Sequence, residues 1–399
     1  MAIDADTLAR DTAALVAIPS VTGSELAVLE RLGDLAAGLG LDPELREYDL
    51  AALRAHPDHP GEEAARHELF GLAIKLPGPP DGPRLALDGH VDVVAPGTEE
   101  WRLGPWSGAV EAGYVHGRGS LDMKGAVVAA LHAMAAARGR NRGEVVLHAV
   151  ASEEDGGLGT FAALERDERF GACLIPEPTG FEVVCAQAGA LTFAGEVRGR
   201  GAHAAMRLEG ESAIDAYVGV HAALAEHERS VNAEVQHPLM RELELPYPLS
   251  VGRLEAGGWS SSVPDRLTFE GRLGVRLGET LEEAEAALRG ALDELPVSLS
   301  FQGARFAPGE TPEDDPFTKL VQEAFTTATG HRAQTVGVPY GADMRLFTQR
   351  GIPCVMAGTP GMERAHATDE YVEIDDLTRL AMAIQQVIET FPGDRRPSV

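Results

Sequence analysis

The chain has 399 residues, which is more than one ordinary hydrophobic core accommodates, so two domains are expected. Its net charge of -28 argues against a nucleic-acid partner, because a phosphate backbone would be repelled over most of the surface. No apolar run approaches the roughly 20 residues that cross a bilayer, and the acidic start is unlike a secretory signal peptide, so we expect a cytoplasmic protein with no membrane partner.

The first half of the chain alternates helices with short apolar strands. Apolar spacing predicts helices at 5–18, 24–39, 122–138 and 158–167, and short apolar runs predict strands at 84–88, 144–151 and 172–176. This alternation is typical of a mainly parallel sheet with helices on both faces. The stretch 55–83 is rich in Pro and Gly, so we expect a solvated loop rather than a metal-binding one, although it contains His56, His59 and His67.

The pattern changes near residue 190. Strands at 191–198, 249–255, 266–276 and 297–301 and helices at 211–228 and 279–294 follow in the ferredoxin-like order βαββαβ. After Pro308, helices at 314–329 and 375–391 and strands near 334–338 and 352–356 resume the α/β pattern. We therefore expect a discontinuous α/β domain of residues 1–189 and 306–399, interrupted by a smaller α+β domain at 190–305.

Histidines and acids follow the predicted strands. His90 comes just after the strand at 84–88, and Asp92, two residues on, could orient its ring. Glu154 and Glu177 follow the next two strands, and prolines on both sides of Glu177 stiffen its backbone. His366 lies between the last strand and the last helix. Because open α/β sheets bind ligands at the carboxyl ends of their strands, we expect these side chains to converge on one rim.

A glycine-rich turn, residues 117–125, presents Asp122 at the start of a helix. Such a turn can cradle a phosphate, but an acidic residue there would repel it, and neither the dinucleotide-binding nor the P-loop spacing is present. A carboxylate that bridges metal ions suits this turn better. Lys124, one of three lysines in the chain, could balance local negative charge or could lie at the surface.

The candidate metal ligands are two histidines and three carboxylates, namely His90, Asp122, Glu154, Glu177 and His366. This nitrogen and oxygen donor set suits two divalent ions, with Zn²⁺ preferred and Co²⁺ or Mn²⁺ possible, provided that one carboxylate bridges. The three cysteines are scattered among apolar neighbours and are expected to be buried free thiols instead of ligands.

Five motifs together resemble the acetylornithine deacetylase / succinyl-diaminopimelate desuccinylase / carboxypeptidase G family, in order and over nearly the whole chain. They are Gly89–Asp92, Gly117–Gly125, Ser152–Glu154, Pro176–Thr179 and Ala365–His366. The resemblance implies a zinc-exopeptidase-like catalytic domain and an inserted ferredoxin-like domain, residues 190–305, that acts as a lid and forms a homodimer. It also implies that Asp122 bridges two zinc ions.

The resemblance assigns each ligand and three further residues a role. His90, Asp122 and Glu177 would hold one zinc ion, and Asp122, Glu154 and His366 the other. Asp92 resembles the carboxylate that orients a ligand ring. Glu153 resembles the general base, which takes a proton from the activated water and passes it to the leaving nitrogen. His203, in the segment 199–205, resembles a residue that reaches the neighbouring subunit's site and stabilises the oxyanion.

The inserted domain departs from one branch of this family. Relatives such as the desuccinylase have Asn-Val-x-Pro where this chain has Ser261–Pro264, and Asp-x-Arg where it has Gly274–Arg276, so the substrate contact of that Asn is not carried over. Arg276, Arg272 on the same strand face and Arg345 are candidates to bind a substrate carboxylate. With Trp259 nearby, this region resembles the acetylornithine deacetylase-like branch more closely.

We therefore hypothesise a metal-dependent deacylase that acts on an N-acyl amino acid or a similar small amide. A dipeptidase or exopeptidase, or a succinyl-diaminopimelate desuccinylase-type deacylase, would use the same site. An inactive binding protein of the same fold is expected to have lost a metal ligand or the general base. All five candidate ligands and Glu153 are present in this sequence. A nucleotide-dependent ligase or kinase would need a P-loop lysine pattern, which is absent from the sequence.

Overall fold

The computed structural model of the chain describes residues 3–166 and 169–391. These residues form two compact units. The first contains the chain up to Cys185, then Glu310–Val336, and the chain from Leu346 onward. The second contains Ala186–Gly309 and the short segment Gly337–Arg345.

The helices begin and end where capping chemistry allows. The α-helices of the described residues are α1 (Ala5–Val16), α2 (Leu26–Gly38), α3 (Leu50–Arg54), α4 (Gly125–Ala137), α5 (Leu158–Arg166), α6 (Ala213–Ala233), α7 (Leu281–Ala291), α8 (Pro316–Thr329), α9 (Met344–Thr348) and α10 (Ile374–Thr390). Asp4 caps α1 by accepting a hydrogen bond from the Thr7 amide at 2.9 Å. Thr280 and Glu283 form a reciprocal capping box at α7.

The strands of the described residues are β1 (Asp42–Glu47), β2 (Phe70–Leu76), β3 (Leu85–His90), β4 (Ala109–Glu111), β5 (Tyr114–His116), β6 (Val145–Val150), β7 (Ala172–Ile175), β8 (Val183–Gln187), β9 (Gly189–Arg198), β10 (Ala202–His203), β11 (Leu249–Ala256), β12 (Ser262–Val263), β13 (Arg266–Val275), β14 (Val297–Phe306), β15 (Gly309–Glu310), β16 (Thr335–Val338), β17 (Cys354–Met356) and β18 (Tyr371–Glu373). The large sheet has the order β1-β2-β6-β3-β7-β17-β8-β15, with β16 paired to β8.

Parallel strands form the centre of this sheet. Strand β3 pairs in parallel with β6 and β7, and β17 pairs in parallel with β7. Antiparallel pairs lie on either side, formed by β2 with β6 and by β17 with β8. Every residue of β3, β6 and β7 is buried, which is the pattern of strands covered on both faces. The carboxyl ends of the four parallel strands therefore meet at one edge.

Helix α4 anchors the first unit beside this edge. All of its residues, Gly125–Ala137, are buried, which indicates a helix enclosed on every side instead of one with a polar face. It packs against α1, α10 and the strands β3 and β6. The glycine turn that precedes α4 is thereby held next to the edge of the sheet. Across the described residues, no helix combines the length and apolar character needed to cross a membrane.

The second unit has the predicted βαββαβ order, formed by β9, α6, β11, β13, α7 and β14. Its antiparallel sheet has the order β11-β13-β9-β14. Burial alternates along β9 and β13, so one face of the sheet packs against α6 and α7. Phe193 of β9 and Phe269 of β13 meet edge to face with ring centroids 6.2 Å apart at the centre of this core.

The prediction that residues 55–83 form one loop is wrong in part. Phe70–Leu76 form β2, which pairs with β1 and β6 inside the large sheet. The run Phe-Gly-Leu-Ala-Ile-Lys-Leu is apolar, but the Pro and Gly residues that follow it obscured the strand. Strand β1 was missed because its sequence, Asp-Pro-Glu-Leu-Arg-Glu, is mostly polar, as an edge strand can be. Cys173, Cys185 and Cys354 are buried thiols that form no disulfide bond among the described residues, as predicted.

Candidate metal centre

Four of the five candidate ligands leave neighbouring strands of the large sheet at the same edge. His90 is the last residue of β3, Glu154 follows β6, Glu177 follows β7, and His366 lies in the loop after β17. The strands β6, β3, β7 and β17 are consecutive in the sheet. Parallel pairing therefore brings side chains from distant parts of the sequence to one rim, as the sequence predicted.

Asp122, the fifth candidate, comes from the turn before α4. Gly117 and Gly119 have φ values of 132° and 81°, a region that glycine adopts without steric cost. A Cβ at Gly119 would lie 2.6 Å from the Val93 side chain, so the turn also needs glycine for close packing. Asp122 itself is extended, with φ -118° and ψ 97°, which turns its carboxylate out of the helical path. The Asp122–Met123 peptide bond is cis.

The candidate ligands form two groups that share Asp122. Among the described residues, His90, Asp122 and Glu177 form one group and Asp122, Glu154 and His366 the other, and the donor atoms within each group lie within 4.8 Å of one another. Asp122 Oδ1 is 3.0 Å from His90 Nε2, and Asp122 Oδ2 is 3.4 Å from His366 Nε2. One carboxylate therefore turns one oxygen to each group.

The remaining distances complete the two groups. Glu177 Oε1 lies 3.6 Å from His90 Nε2, and Glu154 Oε2 lies 3.1 Å from His366 Nε2. The group that contains His90 is buried, whereas the side chain of His366 is 50% exposed. One candidate metal position is thus enclosed, and the other faces solvent.

The carboxylates favour positive charge at both positions. Burial alone would lower the pKa of His90, but its hydrogen bond with Asp122 and the charge of Glu177 raise that pKa well above its ordinary value. Hydrogen bonds with Asp122 and Glu154 raise the pKa of His366 to about 10. Burial would raise the pKa of Asp122, yet hydrogen bonds with both imidazoles lower it. The acids beside each imidazole therefore favour positive charge at both histidines.

Asp92 acts differently from the sequence-based expectation. His90 Nδ1 lies 2.8 Å from the main-chain oxygen of Asp92 and 3.8 Å from its carboxylate Oδ1, so the backbone carbonyl orients the ring. The carboxylate instead accepts hydrogen bonds from the amides of Glu153 and Glu154, both at 3.2 Å, and from the Thr22 hydroxyl at 3.1 Å. Asp92 is fully buried, and burial raises its pKa to about 7. It fixes the backbone that carries Glu153 and Glu154.

Lys124 is buried instead of lying at the surface, and its hydrogen bonds go to main-chain oxygens. Its side chain is completely buried, and Nζ donates to the main-chain oxygens of Ile18 at 2.9 Å and Leu15 at 3.3 Å. The ammonium also lies 5.6 Å from the centre of the Trp106 ring. Burial lowers the pKa of Lys124 to about 7. Of the two alternatives drawn from the sequence, the surface position is wrong, whereas the nearby charges of Glu370 and Asp92 agree with a role in balancing negative charge. Lys124 also ties the end of α1 to the turn that carries Asp122.

Two buried ion pairs beside the rim were missed by the sequence analysis. Arg66, from the stretch expected to be a loop, donates to Asp155 Oδ1 at 2.8 Å. Asp155 Oδ2 also accepts the amides of Glu63 and Ala64 at 3.2 and 2.8 Å. The Ser152 hydroxyl donates to Asp155 as well. This network is a second set of contacts, besides those of Asp92, that fixes the acidic loop after β6.

The second missed pair joins Arg118 to Glu370, which are 252 residues apart. Burial raises the pKa of Glu370. Arg118 lies inside the glycine-rich turn at 117–125, and Glu370 lies four residues after His366, so both are close in sequence to candidate ligands. Their pairing could not be predicted, because nothing in a single sequence relates residues so far apart.

In the second unit, His203 lies beside the segment where the chain departs from the desuccinylase pattern. Strands β10 and β12 pair so that His203 is opposite Ser262, and the amide of Ala204 donates to the main-chain oxygen of Ser261 at 2.9 Å. His203 Nδ1 accepts a hydrogen bond from the Ala205 amide at 3.1 Å, and the side chain is exposed. Backbone pairing thus sets the position of this histidine.

The three arginine candidates differ in accessibility. Arg272 and Arg276 are exposed, and Arg276 pairs with Glu279 at 3.2 Å. Arg345 is only 1% exposed, donates to the main-chain oxygen of Ala342 at 2.9 Å and lies 4.0 Å from the centre of the Phe306 ring. The structure therefore does not support Arg345 as a substrate-binding residue, because its guanidinium is enclosed by the protein.

The donor set at the rim fits a pair of divalent ions. It consists of two imidazoles and three carboxylates, with no thiolate, which is the chemistry that Zn²⁺, Co²⁺ or Mn²⁺ accepts. Soft Cu⁺ and iron–sulfur clusters prefer thiolates and do not match. The two oxygens of Asp122 face different groups, as one carboxylate would have to if five ligands were to serve two ions.

Comparison with known proteins gives concordant results. A sequence profile described as Peptidase family M20/M25/M40 matches residues 86–390. A succinyl-diaminopimelate desuccinylase of Methylobacterium nodulans is 30% identical, over 96% of this chain and 96% of its own. A metallo-carboxypeptidase of the M20 family from Sulfolobus solfataricus superposes with a TM-score of 0.77 at 16% identity, covering 98% of this chain and 99% of its own. A dinuclear metal-binding peptidase of that family from Bacillus subtilis superposes with a TM-score of 0.62 at 17% identity, covering 97% and 98%.

The Arg66 network yields a stability prediction. The Arg66 side chain is fully buried, with Asp155 at 2.8 Å and Glu25 at 3.7 Å. Substitution Arg66→Met should lower the free energy of unfolding by about 3–5 kcal/mol, because it leaves buried carboxylates without a counter-charge. Chemical denaturation of the ion-free protein, followed by circular dichroism, measures this change.

The matched control is Arg102→Met, which breaks the exposed Arg102–Glu111 pair of 3.1 Å. It should change the free energy of unfolding by about 1 kcal/mol or less, because exposed pairs contribute little. Equal effects of the two substitutions would contradict the role given to Arg66.

Proposed function

The chain belongs to peptidase family M20/M25/M40, and on that premise we propose that it removes the acyl group from an N-acyl amino acid with the help of two divalent metal ions. Membership makes it a hydrolase of this family. The hydrolysis of an amide bond by a deacylase is supported by the similarity to a protein named as a desuccinylase, which covers nearly the whole chain.

One observation carries the proposal: the two oxygens of Asp122 turn to different imidazoles. Oδ1 faces His90 and Oδ2 faces His366, at 3.0 and 3.4 Å. A single ion would need only one of these groups. A shared carboxylate between two complete donor groups is the arrangement expected of a two-metal site.

We assign the ligands as two sets that share Asp122. His90, Asp122 and Glu177 would hold one ion, and Asp122, Glu154 and His366 the other. When bound, a pair of such ions supplies Lewis acidity, which polarises a carbonyl and lowers the pKa of water. Zinc is the preferred ion for this donor set, and cobalt or manganese would also fit.

Glu153 is proposed as the general base. It precedes Glu154, so one residue can serve as a ligand while its neighbour takes a proton from water and delivers it to the leaving nitrogen. Asp92 holds both amides of this pair through its buried carboxylate. Ser152, with a φ of 71°, turns the chain just before Glu153. The backbone of the base is therefore fixed independently of any ion.

The second unit is proposed to provide substrate recognition and a homodimer contact through residues 190–305. His203 is exposed and would stabilise the oxyanion in the neighbouring subunit's site. Either Arg272 or Arg276 would bind the substrate carboxylate. Apolar side chains exposed on this unit, such as Leu208 at 92% and Val218 at 66%, are suited to burial against a second copy.

Two substrate classes compete within the proposed function. The sequence relative is named as a desuccinylase, whereas solved structures of the same fold are named as peptidases. The identity to those structures is below 25%, so they inform the fold alone. We therefore place deacylation first, with an acetyl or succinyl group as the acyl part, and cleavage of a dipeptide second.

A substrate panel tests the function. N-acetylornithine, N-succinyl-diaminopimelate and a set of dipeptides are incubated with the zinc-loaded enzyme, and release of free amine is measured. We expect hydrolysis of an acylated amino acid. The variant Glu153→Ala should lower kcat by at least about 100-fold, the usual contribution of a general base, while metal analysis still finds two ions per subunit.

The matched variant Asp122→Ala should lose both activity and metal, because it removes the ligand that both groups share. Retained turnover in Glu153→Ala would refute the proposed base. Hydrolysis of dipeptides alone would favour the peptidase alternative, and no turnover of any amide by the loaded protein would overturn the proposed function.

Proton release tests the metal assignment. At pH 7.5 the ion-free protein should hold protons on His90 and His366, because both pKa values are raised, that of His366 to about 10. Zinc needs neutral imidazoles, so binding must displace these protons. Affinity should therefore rise with pH, by about tenfold per unit for each displaced proton.

Calorimetric titration in buffers of different ionisation enthalpy counts the protons. We expect about two released for two ions, and about one fewer in His366→Gln. Heats that are the same in all buffers would contradict the expected protonation of His90 and His366 in the ion-free protein.

Subunit mixing tests the role of His203. Inactive His203→Ala and Glu153→Ala subunits are co-expressed with different tags, and the hybrid dimers are purified. If the histidine acts across the dimer, one of the two sites in a hybrid has both groups, so about half of the wild-type activity should return. Each variant alone serves as the control. Inactive hybrids would show that His203 does not act in the neighbouring site.

A further inference from the structure

A buried ion pair connects the two segments that carry Asp122 and His366. Arg118 Nη1 donates to Glu370 Oε2 at 2.7 Å. The residues are 2% and 1% exposed, so water contributes almost nothing to the balance of their charges. Arg118 belongs to the turn that precedes α4, and Glu370 closes the loop that follows β17.

Glu370 holds the backbone that presents Asp122. Its Oε1 accepts hydrogen bonds from the amides of Leu121 at 2.9 Å and Asp122 at 3.1 Å. Its main-chain oxygen accepts a further one from the amide of Gly117 at 2.9 Å. One residue therefore fixes both ends of the turn, and the candidate bridging ligand is attached to it directly.

Arg118 holds the backbone of His366. Its second terminal nitrogen, Nη2, donates to the main-chain oxygen of His366 at 2.9 Å. His366 has a φ of 61°, a conformation that a residue other than glycine keeps only where its surroundings enforce it. Because its side chain is half exposed, packing does little to fix the ring. The backbone of this loop must therefore set the direction of the imidazole.

The shape of the guanidinium makes the two contacts interdependent. It is planar and rigid, so the nitrogen that binds Glu370 and the nitrogen that binds His366 keep a fixed separation. The stacking of Arg118 against Trp101, with 5.2 Å to the ring centre, holds this plane in place. A lysine could satisfy Glu370 but offers a single nitrogen, which cannot reproduce the fork.

We infer that Arg118 and Glu370 are positioning residues that set Asp122 against His366 and thereby control binding of the ion at the group of Asp122, Glu154 and His366. The effect on ion binding rests on the proposed function, whereas the attachment of the two segments is a property of the ion-free chain. The group that contains His90 depends less on the pair, because its other ligands leave β3 and β7 directly.

The experiment compares Arg118→Lys and Glu370→Gln with the wild-type protein. Zinc is titrated into chelator-stripped full-length protein against a fluorescent competitor, so that the two binding steps are resolved. The step that fills the group of Asp122, Glu154 and His366, identified as the step weakened in His366→Gln, should lose about 10- to 100-fold in affinity in both variants, as is usual when a contact that orients a ligand is removed. The other step should change several-fold less.

Matched controls come from the exposed pair Arg102–Glu111, in the variants Arg102→Lys and Glu111→Gln. Across the residues that the structure describes, neither side chain forms a hydrogen bond or ion pair with Glu370 or His366. Both binding steps should therefore stay within about twofold of the wild-type values. Hydrogen exchange of the ion-free proteins provides a second readout. Residues 117–122 and 361–370 should exchange faster in Arg118→Lys and Glu370→Gln and at the wild-type rate in the controls.

The outcomes separate this inference from the proposed function. Unchanged hydrogen exchange in both segments would overturn the inference. Zinc affinities equal to those of the wild-type protein, in a variant that folds but is less stable, would also overturn it. Should Arg118→Lys fail to fold, Glu370→Gln decides by the same two measurements. A wild-type protein that binds fewer than two ions would contradict the proposed function, and exchange in the ion-free proteins would then decide the attachment of the two segments.

Discussion

The carboxylates of Asp122, Glu154 and Glu177 lie beside two imidazoles at one edge of the large sheet, and the repulsion among them governs this region. Two like charges about 4 Å apart repel by about 4 kcal/mol at the effective dielectric of a protein surface. Positive charge must therefore accompany them. The raised pKa values of His90 and His366 show where the protein favours that charge, and these are the positions that two cations would take.

Other buried carboxylates hold the main chain around the rim, and each does so by accepting hydrogen bonds from main-chain amides. Asp92, Asp155 and Glu370 each accept main-chain amides from a segment distant in the sequence. Through these bonds, Asp92 after β3 holds the loop after β6. Glu370, after β17, holds the turn before α4. Glu154 and Asp122 are thus each placed by a backbone that a different segment fixes. Buried Arg66 and Arg118 balance two of these acids, so the support does not depend on a bound ion for its own charge.

The sequence predicted what short-range pattern determines, and it missed what long-range pairing determines. Apolar periodicity located most helices and the central strands, and the rule that ligands gather at the carboxyl ends of parallel strands predicted the rim. The Arg118–Glu370 pair could not be predicted, because it depends on how the loop after β17 folds back on the turn before α4. The orientation of His90 by the carbonyl of Asp92 was also out of reach. A sequence does not show whether the main-chain oxygen or the carboxylate of Asp92 faces the His90 ring, because that depends on the path of the backbone.

The ligand set does not by itself choose between an acyl amino acid and a peptide, because both present an amide to the same groups. That choice must come from residues outside the set, and the second unit contains a clear difference. Ser261 and Ser262 lie beside His203 where the desuccinylase pattern has Asn-Val. A serine hydroxyl donates and accepts through one oxygen, whereas an amide side chain offers its donor and its acceptor on two separate atoms. The backbone pairing of His203 with Ser262 does not involve these side chains. Substitutions at the serines can therefore alter substrate selection while the histidine keeps its position.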